Sequence, residues 1–295
     1  MVDFRPDNPS QFGVLDFDPD EGLKLEVKVP EPRTFQQATS ASWKIDSSEV
    51  ISGRDADDKV ITLFGCSMPS ANLRGGMASY EFHPLRAIIG RDFRSWENVS
   101  FSNVQIEYSL LHEWLERSSV SVDLDAHRAS FERVDDLTFQ LTPDVQLVIG
   151  ATVDSTYGRN GLRVKEGHWV EFAFKKAVTI DSLHRNFVIP FRRLLTLLTG
   201  KRVFVEAITF ENGKVELLQP NGGVQEATRR MHARNMVSSF AEIGVDAGAI
   251  FSRWFEYHER LEPVLNLYFA VTFNRSLYTN HRFLFSHRRW KFITD

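Results

Sequence analysis

The sequence has one cysteine, Cys66, among its 295 residues, and it has no long hydrophobic run. A single thiol excludes an intrachain disulfide framework and any zinc or iron–sulfur site built from several cysteines. The apolar stretches 145–151 and 187–191 are far shorter than the roughly 20 residues that a membrane-spanning helix needs. The first residues also lack the apolar segment of a secretory signal. We therefore expect a cytoplasmic protein that does not contact a membrane.

Several motifs of catalysis and cofactor binding are missing as well. There is no G-x-S-x-G turn, no phosphate-binding glycine loop and no dinucleotide-binding fingerprint. The stretch 16–22 begins like a calcium loop, but Val27 stands where a bidentate glutamate is needed, so we expect an acidic turn. His112 and Glu113 begin like a metalloprotease helix, but Glu116 replaces the second histidine. The sequence predicts neither a metal nor a cofactor.

What the chain does contain is the pattern of a β-rich globular protein. It is 42% hydrophobic and 25% charged, with a net charge of −4, which is ordinary for a globular domain. Apolar residues alternate with polar ones in short runs between residues 23 and 174, separated by Gly, Pro, Asp and Asn. This spacing, together with 24 phenylalanines to fill a core, is typical of an antiparallel sandwich or a barrel-like fold.

Helical periodicity interrupts this pattern and then replaces it. Residues 110–117 and 181–199 are predicted as inserted helices, with Pro190 as a kink or as the true start of the second. Asn212 and Gly213 predict a hairpin turn. Beyond a polar linker, helices are predicted over 240–260 and 263–278, with Pro263 in the first turn of the latter.

These elements predict an α+β fold in two parts. The first part, 1–225, is a large β-rich N-terminal domain with one or two inserted helices. The second part, 236–295, is a short helical segment. Within that segment, Leu265, Tyr268 and Phe269 form an apolar stripe that we expect to be either partly exposed or covered by the β-rich domain.

Several segments of the chain resemble those of the ApeA-like bacterial anti-phage proteins. The resemblance covers the chain up to about Leu284 and is carried by 13–26, 51–53, 60–66, 191–200 and 261–268. In this family a β-rich N-terminal domain precedes a helical HEPN ribonuclease domain. The resemblance implies a role in abortive infection, in which the N-terminal domain senses or regulates and the HEPN domain cuts RNA without a metal. It further implies RNA or a phage protein as partner, and homo-oligomerisation of the full-length relatives.

HEPN domains carry their catalytic pair as R-x(4-6)-H, with a histidine for proton transfer and an arginine that stabilises the added negative charge. Four pairs have this spacing here, about twice the number that chance predicts: Arg163 and His168, Arg253 and His258, Arg275 and His281, and Arg282 and His287. The first pair lies in the β-rich part. Arg253 and His258 would point about 140° apart on a helix, and none stands where the family has its catalytic pair. Arg253, His258, Arg275 and His281 remain the candidates.

The last residues are basic and do not continue the helical pattern. Residues 275–295 carry five Lys and Arg against one acidic residue. The resemblance implies a catalytic helix further on, so the sequence predicts a truncated HEPN segment. The alternative is a natural short form in which Arg288, Arg289 and Lys291, with Trp290, contact RNA or a partner.

The sequence thus predicts a sensor or regulatory part of an abortive-infection protein that is not active alone. Two alternatives stay open. In one, the β-rich domain is itself an enzyme for a small molecule or a carbohydrate. In the other, it is a binding module for a phage protein.

Overall fold

The computed structural model describes residues 2–3, 12–30, 50–74, 77–123, 128–132, 134–158, 161–220 and 232–273. Several predicted features lie outside these residues: Arg275, His281, Arg282, His287, Arg288, Arg289, Lys291, and the end of the helix predicted over 263–278. The catalytic and RNA-binding roles considered for these side chains stay predictions.

The described part is an α+β fold, as predicted, and its strands pair antiparallel throughout. The strands are β1 Val2–Asp3, β2 Phe12–Asp18, β3 Gly22–Pro30, β4 Ile51–Arg54, β5 Val60–Phe64, β6 Ser67–Arg74, β7 Met77–His83, β8 Arg86–Ile89, β9 Ser100–Tyr108, β10 Val120–Asp123, β11 Arg128–Phe131, β12 Leu137–Thr142, β13 Val145–Gly158, β14 Gly161–Thr179, β15 Val205–Phe210 and β16 Val215–Leu218. The α-helices are α1 Leu111–Leu115, α2 Ile180–Leu183, α3 Ile189–Thr199, α4 Phe240–Ile243 and α5 Ala247–Phe273.

Three sheets are formed by the described strands. The largest has ten strands in the order β1-β4-β5-β8-β16-β15-β9-β14-β13-β12. A four-stranded sheet has the order β2-β3-β7-β6, and β10 pairs with β11. The predicted hairpin is present as β15 and β16, and Asn212 and Gly213 in its turn have positive φ angles of 58° and 81°. Asparagine and glycine tolerate this left-handed backbone better than other residues do.

A small core joins the four-stranded sheet to one end of the large sheet. Leu23, Leu25 and Phe82 from the four-stranded sheet pack against Ile51 and Leu63 of β4 and β5. Because apolar side chains alternate along β3, one face of that strand is buried and the other is left to polar residues. This end of the molecule is therefore a sandwich, in agreement with the sequence pattern.

A larger core lies between the ten-stranded sheet and the helices. Trp114 of α1, Phe172 of β14, Phe191 of α3 and Phe251 of α5 are all fully buried in it. The indole Nε1 of Trp114 donates to the carbonyl oxygen of Ser238, at 3.0 Å. The aromatic residues of the sequence thus fill one core to which the sheet and the helices of both predicted parts contribute.

The inserted helix around Pro190 is continuous but contains a π-helical turn. Residues His184–Val188 form this turn between α2 and α3, and Pro190 stands in the first turn of α3. Proline has no N–H, so it cannot donate the regular bond to the carbonyl four residues earlier. The wider π turn accommodates this interruption. The helix begins at Ile180, so Pro190 is not its true start, and the irregularity associated with the proline is the π turn that precedes it.

The C-terminal helix differs from the prediction. The sequence predicts a new helix that begins at Pro263, but α5 runs without interruption from Ala247 to Phe273. Pro263 and Glu259, whose carbonyl loses its helical partner, are both exposed. The missing hydrogen bond therefore falls on the solvent side of the helix, where water can replace it at small cost.

Candidate functional site

A groove of about 690 Å³ lies along the first half of α5. It is lined by Ile250, Arg253, Trp254, Tyr257, Arg260 and Leu261. The four apolar or aromatic residues follow each other at spacings of four, three and four, which aligns them in one stripe on a helix. The two arginines lie beside this stripe. The groove thus combines an apolar floor with positive charge at its edge.

The side of α5 opposite the groove packs in the main core. Phe251 is fully buried and meets the ring of Phe139 edge to face, with centroids 5.0 Å apart. Phe255 meets Phe172 of β14 in the same way, at 5.7 Å. Aromatic rings contribute large buried areas and prefer such edge-to-face contacts. The first half of α5 is therefore fixed to the β-rich part by aromatic packing.

Two hydrogen bonds to backbone carbonyls fix α5 further. The indole Nε1 of Trp254 donates to the carbonyl oxygen of Pro190 at 2.9 Å, just after the π turn. The hydroxyl of Ser252 donates to the carbonyl oxygen of Gln140 in β12 at 3.2 Å. Since each bond uses a carbonyl of a different element, α5 is tied to α3 and to the sheet independently.

The second half of α5 contacts α3 through polar side chains. Arg193 of α3 lies 3.5 Å from a carboxylate oxygen of Glu262 and donates to the side-chain oxygen of Asn266 at 2.8 Å. Leu265 is buried, whereas Leu261 and Val264 are 41% and 50% exposed. The predicted apolar stripe is thus covered at Leu265, and the exposed apolar positions lie one to four residues earlier.

The candidate pair Arg253 and His258 does not converge. Arg253 is exposed and lines the groove, while His258 is 8% exposed and its Nδ1 lies 3.0 Å from the carbonyl oxygen of Phe255. The two side chains leave α5 on different faces, as five residues of helix require. A catalytic role for either one stays a prediction.

His168, from the pair in the β-rich part, has a different neighbour. Its Nδ1 lies 3.0 Å from Nδ1 of His112 in α1. Burial is the main cause that lowers the pKa of His168, to about 4, and the charge of His112 lowers it further. One of the two rings must carry a hydrogen on Nδ1 so that it can donate to the other. The pair links α1 to β14 as long as one of the two rings is neutral and accepts at Nδ1.

A neighbouring carboxylate completes this link. Glu166 accepts the backbone N–H of Ser119 at 2.5 Å and the hydroxyl of Ser118 at 2.7 Å. These bonds keep the pKa of Glu166 below its usual value although burial acts to raise it. Sequence analysis named His112 and His168 separately, in an incomplete metal motif and in a chance-level arginine–histidine spacing. It did not predict the cluster, because the members come from two stretches, 112–119 and 166–168, that only the fold brings together.

A second partly buried polar cluster surrounds the π turn. Burial lowers the pKa of His184 to about 4, with Arg86 as the next cause. The guanidinium of Arg86 lies 4.3 Å from the ring centroid of Trp96, whose indole Nε1 donates to Asp181 at 3.0 Å. These side chains join β8 to α2, and their mutual contacts indicate a structural role.

In the acidic turn before β3, a carboxylate accepts hydrogen bonds from the backbone of the turn itself. A side-chain oxygen of Asp18 accepts the N–H groups of Asp20 and Glu21, at 2.7 and 3.0 Å, and this lowers the pKa of Asp18. Such bonds are typical of a turn in which an aspartate side chain caps the backbone.

Across the described part of the chain, no three His, Cys, Asp or Glu side chains gather as a metal site. None of the described helices is long and apolar enough to cross a membrane.

Comparison with known proteins gives one match. The family model of ApeA N-terminal domain 1 matches residues 2–254. No curated protein and no solved structure matches the chain. The matched range includes the sixteen strands that the structure describes and ends inside α5, at the residue whose indole bonds to Pro190. The chain therefore belongs to the ApeA N-terminal domain 1 family, a family of anti-phage defence proteins.

Proposed function

We propose that this chain is the sensor or regulatory part of a cytoplasmic abortive-infection protein. The β-rich domain, 1–225, receives the phage signal, and the helical segment, 236–295, belongs to an RNA-cleaving domain of the HEPN type. The chain alone is not a ribonuclease, and oligomerisation belongs to its full-length relatives. A phage protein is the proposed trigger, and RNA is the substrate of the catalytic domain.

One observation carries this proposal: α5 belongs to two regions of the chain at once. Its first half is part of the main core, and its second half continues to Phe273, past the end of the family match at residue 254. A helix of 27 residues is about 40 Å long, and α5 is continuous through Pro263. A displacement of the β-rich part is therefore carried along α5 into whatever its second half contacts.

The polar contacts of Arg193 offer a way to test this coupling without disturbing the core. Arg193 is the α3 residue that holds Glu262 and Asn266 in the second half of α5. Replacing it with alanine removes these bonds but leaves the aromatic packing of Phe251 and Phe255 in place. Coupling free energies between sites are typically 1–3 kcal/mol, so we expect an effect of about fivefold or more.

The experiment is a phage plating assay with the gene and its natural flanking sequence. We expect both Arg193→Ala and Glu262→Ala to reduce protection, and Arg193→Ala to do so more strongly, because only Arg193→Ala also removes the hydrogen bond to Asn266. Arg185→Ala is the matched control, since Arg185 is an exposed arginine on the π turn. Full protection by a folded Arg193→Ala protein contradicts transmission through α5.

A second assay tests whether the chain is a nuclease. The purified chain is incubated with labelled transfer RNA in the presence of EDTA, and we expect no cleavage. Cleavage that persists in EDTA and disappears in His258→Ala protein contradicts the regulatory assignment. A His112→Ala protein, altered at a histidine outside α5, is the control for loss of structure.

A further inference from the structure

The groove on α5 has the residue spacing of a surface that packs against another helix. Ile250, Trp254, Tyr257 and Leu261 follow the four-three-four spacing of a coiled-coil seam, and Val264 continues it. Tyr257, Leu261 and Val264 are 40%, 41% and 50% exposed. From Ile250 to Leu261 the seam is about 16 Å long, which corresponds to about three turns of a partner helix.

The edge of the seam is positively charged. Arg253 and Arg260 precede Trp254 and Leu261 by one position, as the flanking residues of a coiled-coil seam do. Both are exposed, and neither forms an ion pair with any residue that the structure describes. The guanidinium of Arg260 lies 5.7 Å from the ring centroid of Tyr257. Positive charge beside an apolar seam selects a partner with negative charge beside its own apolar stripe.

We propose that the groove on α5 binds an amphipathic helix of a separate protein, with acidic residues beside its apolar stripe. The apolar stripe of this helix fills the seam formed by Ile250, Trp254, Tyr257 and Leu261. Its carboxylates pair with Arg253 and Arg260. This mode, a helix lying in an apolar groove, is a common form of peptide recognition.

Charge argues against a partner from the same protein. In an antiparallel pair of α5 helices, Arg253 and Arg260 of one copy would face the same arginines of the other, and like charges across a seam are unfavourable. The segment that follows α5 is also basic, with five Lys and Arg against one acidic residue in 275–295. An antiparallel second copy and the basic segment 275–295 would therefore both place positive charge against positive charge.

The aromatic residues argue against a single-stranded nucleic acid. Such ligands need free aromatic faces on which bases can stack. Arg260 already lies beside the ring of Tyr257, and the indole of Trp254 is fixed by its hydrogen bond to Pro190. Ile250 and Leu261, which make up half of the seam, are aliphatic and offer no face for a base, so the seam fits apolar side chains better than bases.

The test uses a synthetic helical peptide of about 20 residues, because shorter helices are marginal in water. It carries leucines at four-three spacing with glutamates beside them, and a second peptide has lysines in place of the glutamates. Binding to the purified chain is measured by fluorescence anisotropy. Since an exposed ion pair contributes up to about fivefold in affinity, two pairs predict a preference of about tenfold for the acidic peptide.

Variants locate the binding site. Arg260→Glu is expected to remove most of this preference, whereas Arg185→Glu, an equal charge change on the π turn, leaves it intact. Oligouridine is tested in parallel. Binding of oligouridine without binding of either peptide overturns the proposal, as does equal affinity for both peptides or no binding at all.

Light scattering tests whether a second copy of the chain occupies the groove. A dimer that Tyr257→Glu dissociates assigns the groove to a second copy and overturns the proposal. The inference rests on the proposed regulatory role of α5, but the binding assay needs no phage. Peptide binding can therefore fail while the Arg193 plating result holds, and the two failures are distinguishable.

Discussion

Replacing Phe251 with alanine tests whether α5 is part of the main core. The side chain is fully buried, with the ring of Phe139 from β12 at 5.0 Å and that of Phe191 from α3 at 5.9 Å. Its neighbours thus come from both the sheet and the inserted helix. If α5 were only attached at the surface, removing one ring would change little.

The expected loss follows from burial and from the neighbours. Phenylalanine-to-alanine changes in cores cost about 3–5 kcal/mol, because the transfer free energy is lost and a cavity remains. Phe139 and Phe191 are held in different elements, which limits how far their rings can move to fill the space. We therefore expect a loss of about 4 kcal/mol in the free energy of unfolding. For a domain of this size, that lowers the midpoint by roughly 10 °C.

The assay is urea unfolding followed by circular dichroism, with thermal unfolding as a check. Phe251→Leu keeps most of the volume and is expected to cost less than about 2 kcal/mol. Glu259→Ala, on the exposed side of the same helix, should stay within about 0.5 kcal/mol of the parent. A loss below about 1 kcal/mol for Phe251→Ala would refute the assignment of α5 to the core.

Three further changes follow from local structure. Burial lowers the pKa values of His168 and His184 from 6.5 to about 4. The unfolded chain therefore binds more protons between these pH values, and the free energy of unfolding falls as the pH drops through this range. Glutamine replacements should flatten this pH dependence in urea titrations, and an unchanged slope contradicts the argument. Gly150→Val should destabilise by about 1–3 kcal/mol, because a Cβ there collides with the ring of Trp169; a thermal midpoint equal to that of the parent rules this out. Pro263→Ala should slow amide hydrogen exchange around residue 263, since a regular helical bond is restored; equal exchange rates would mean that the proline interrupts nothing.

Much of the fold could be predicted because local patterns determine it. Alternating apolar residues placed β3, β5 and β9, and Asn212 with Gly213 placed the turn between β15 and β16. The strand order could not be predicted, since β8 pairs with β16 through contacts that no local pattern encodes. The continuous course of α5 through Pro263 was missed for a different reason: the cost of a proline depends on whether the freed carbonyl faces solvent.

The candidate site could be predicted only in part. The spacing of Arg253 and His258 drew attention to α5, but the groove was not foreseen. Ile250 and Phe251 are adjacent in the sequence and both are apolar. Only the packing of α5 determines that Phe251 is buried while Ile250 lines the groove. The contact of His112 with His168 likewise depends on how α1 packs against β14.

The two apolar faces of α5 connect its packing with its proposed function. A surface helix with one partner needs a single apolar stripe. In α5, Phe251 and Phe255 form the stripe that enters the core, and Tyr257 and Leu261 belong to another that faces the groove. Trp254 belongs to both, because its ring lines the groove while its Nε1 bonds to Pro190 beside the π turn. A helix bound in the groove would therefore press directly on a side chain that anchors α5 to the β-rich part, and binding and anchoring would share one residue.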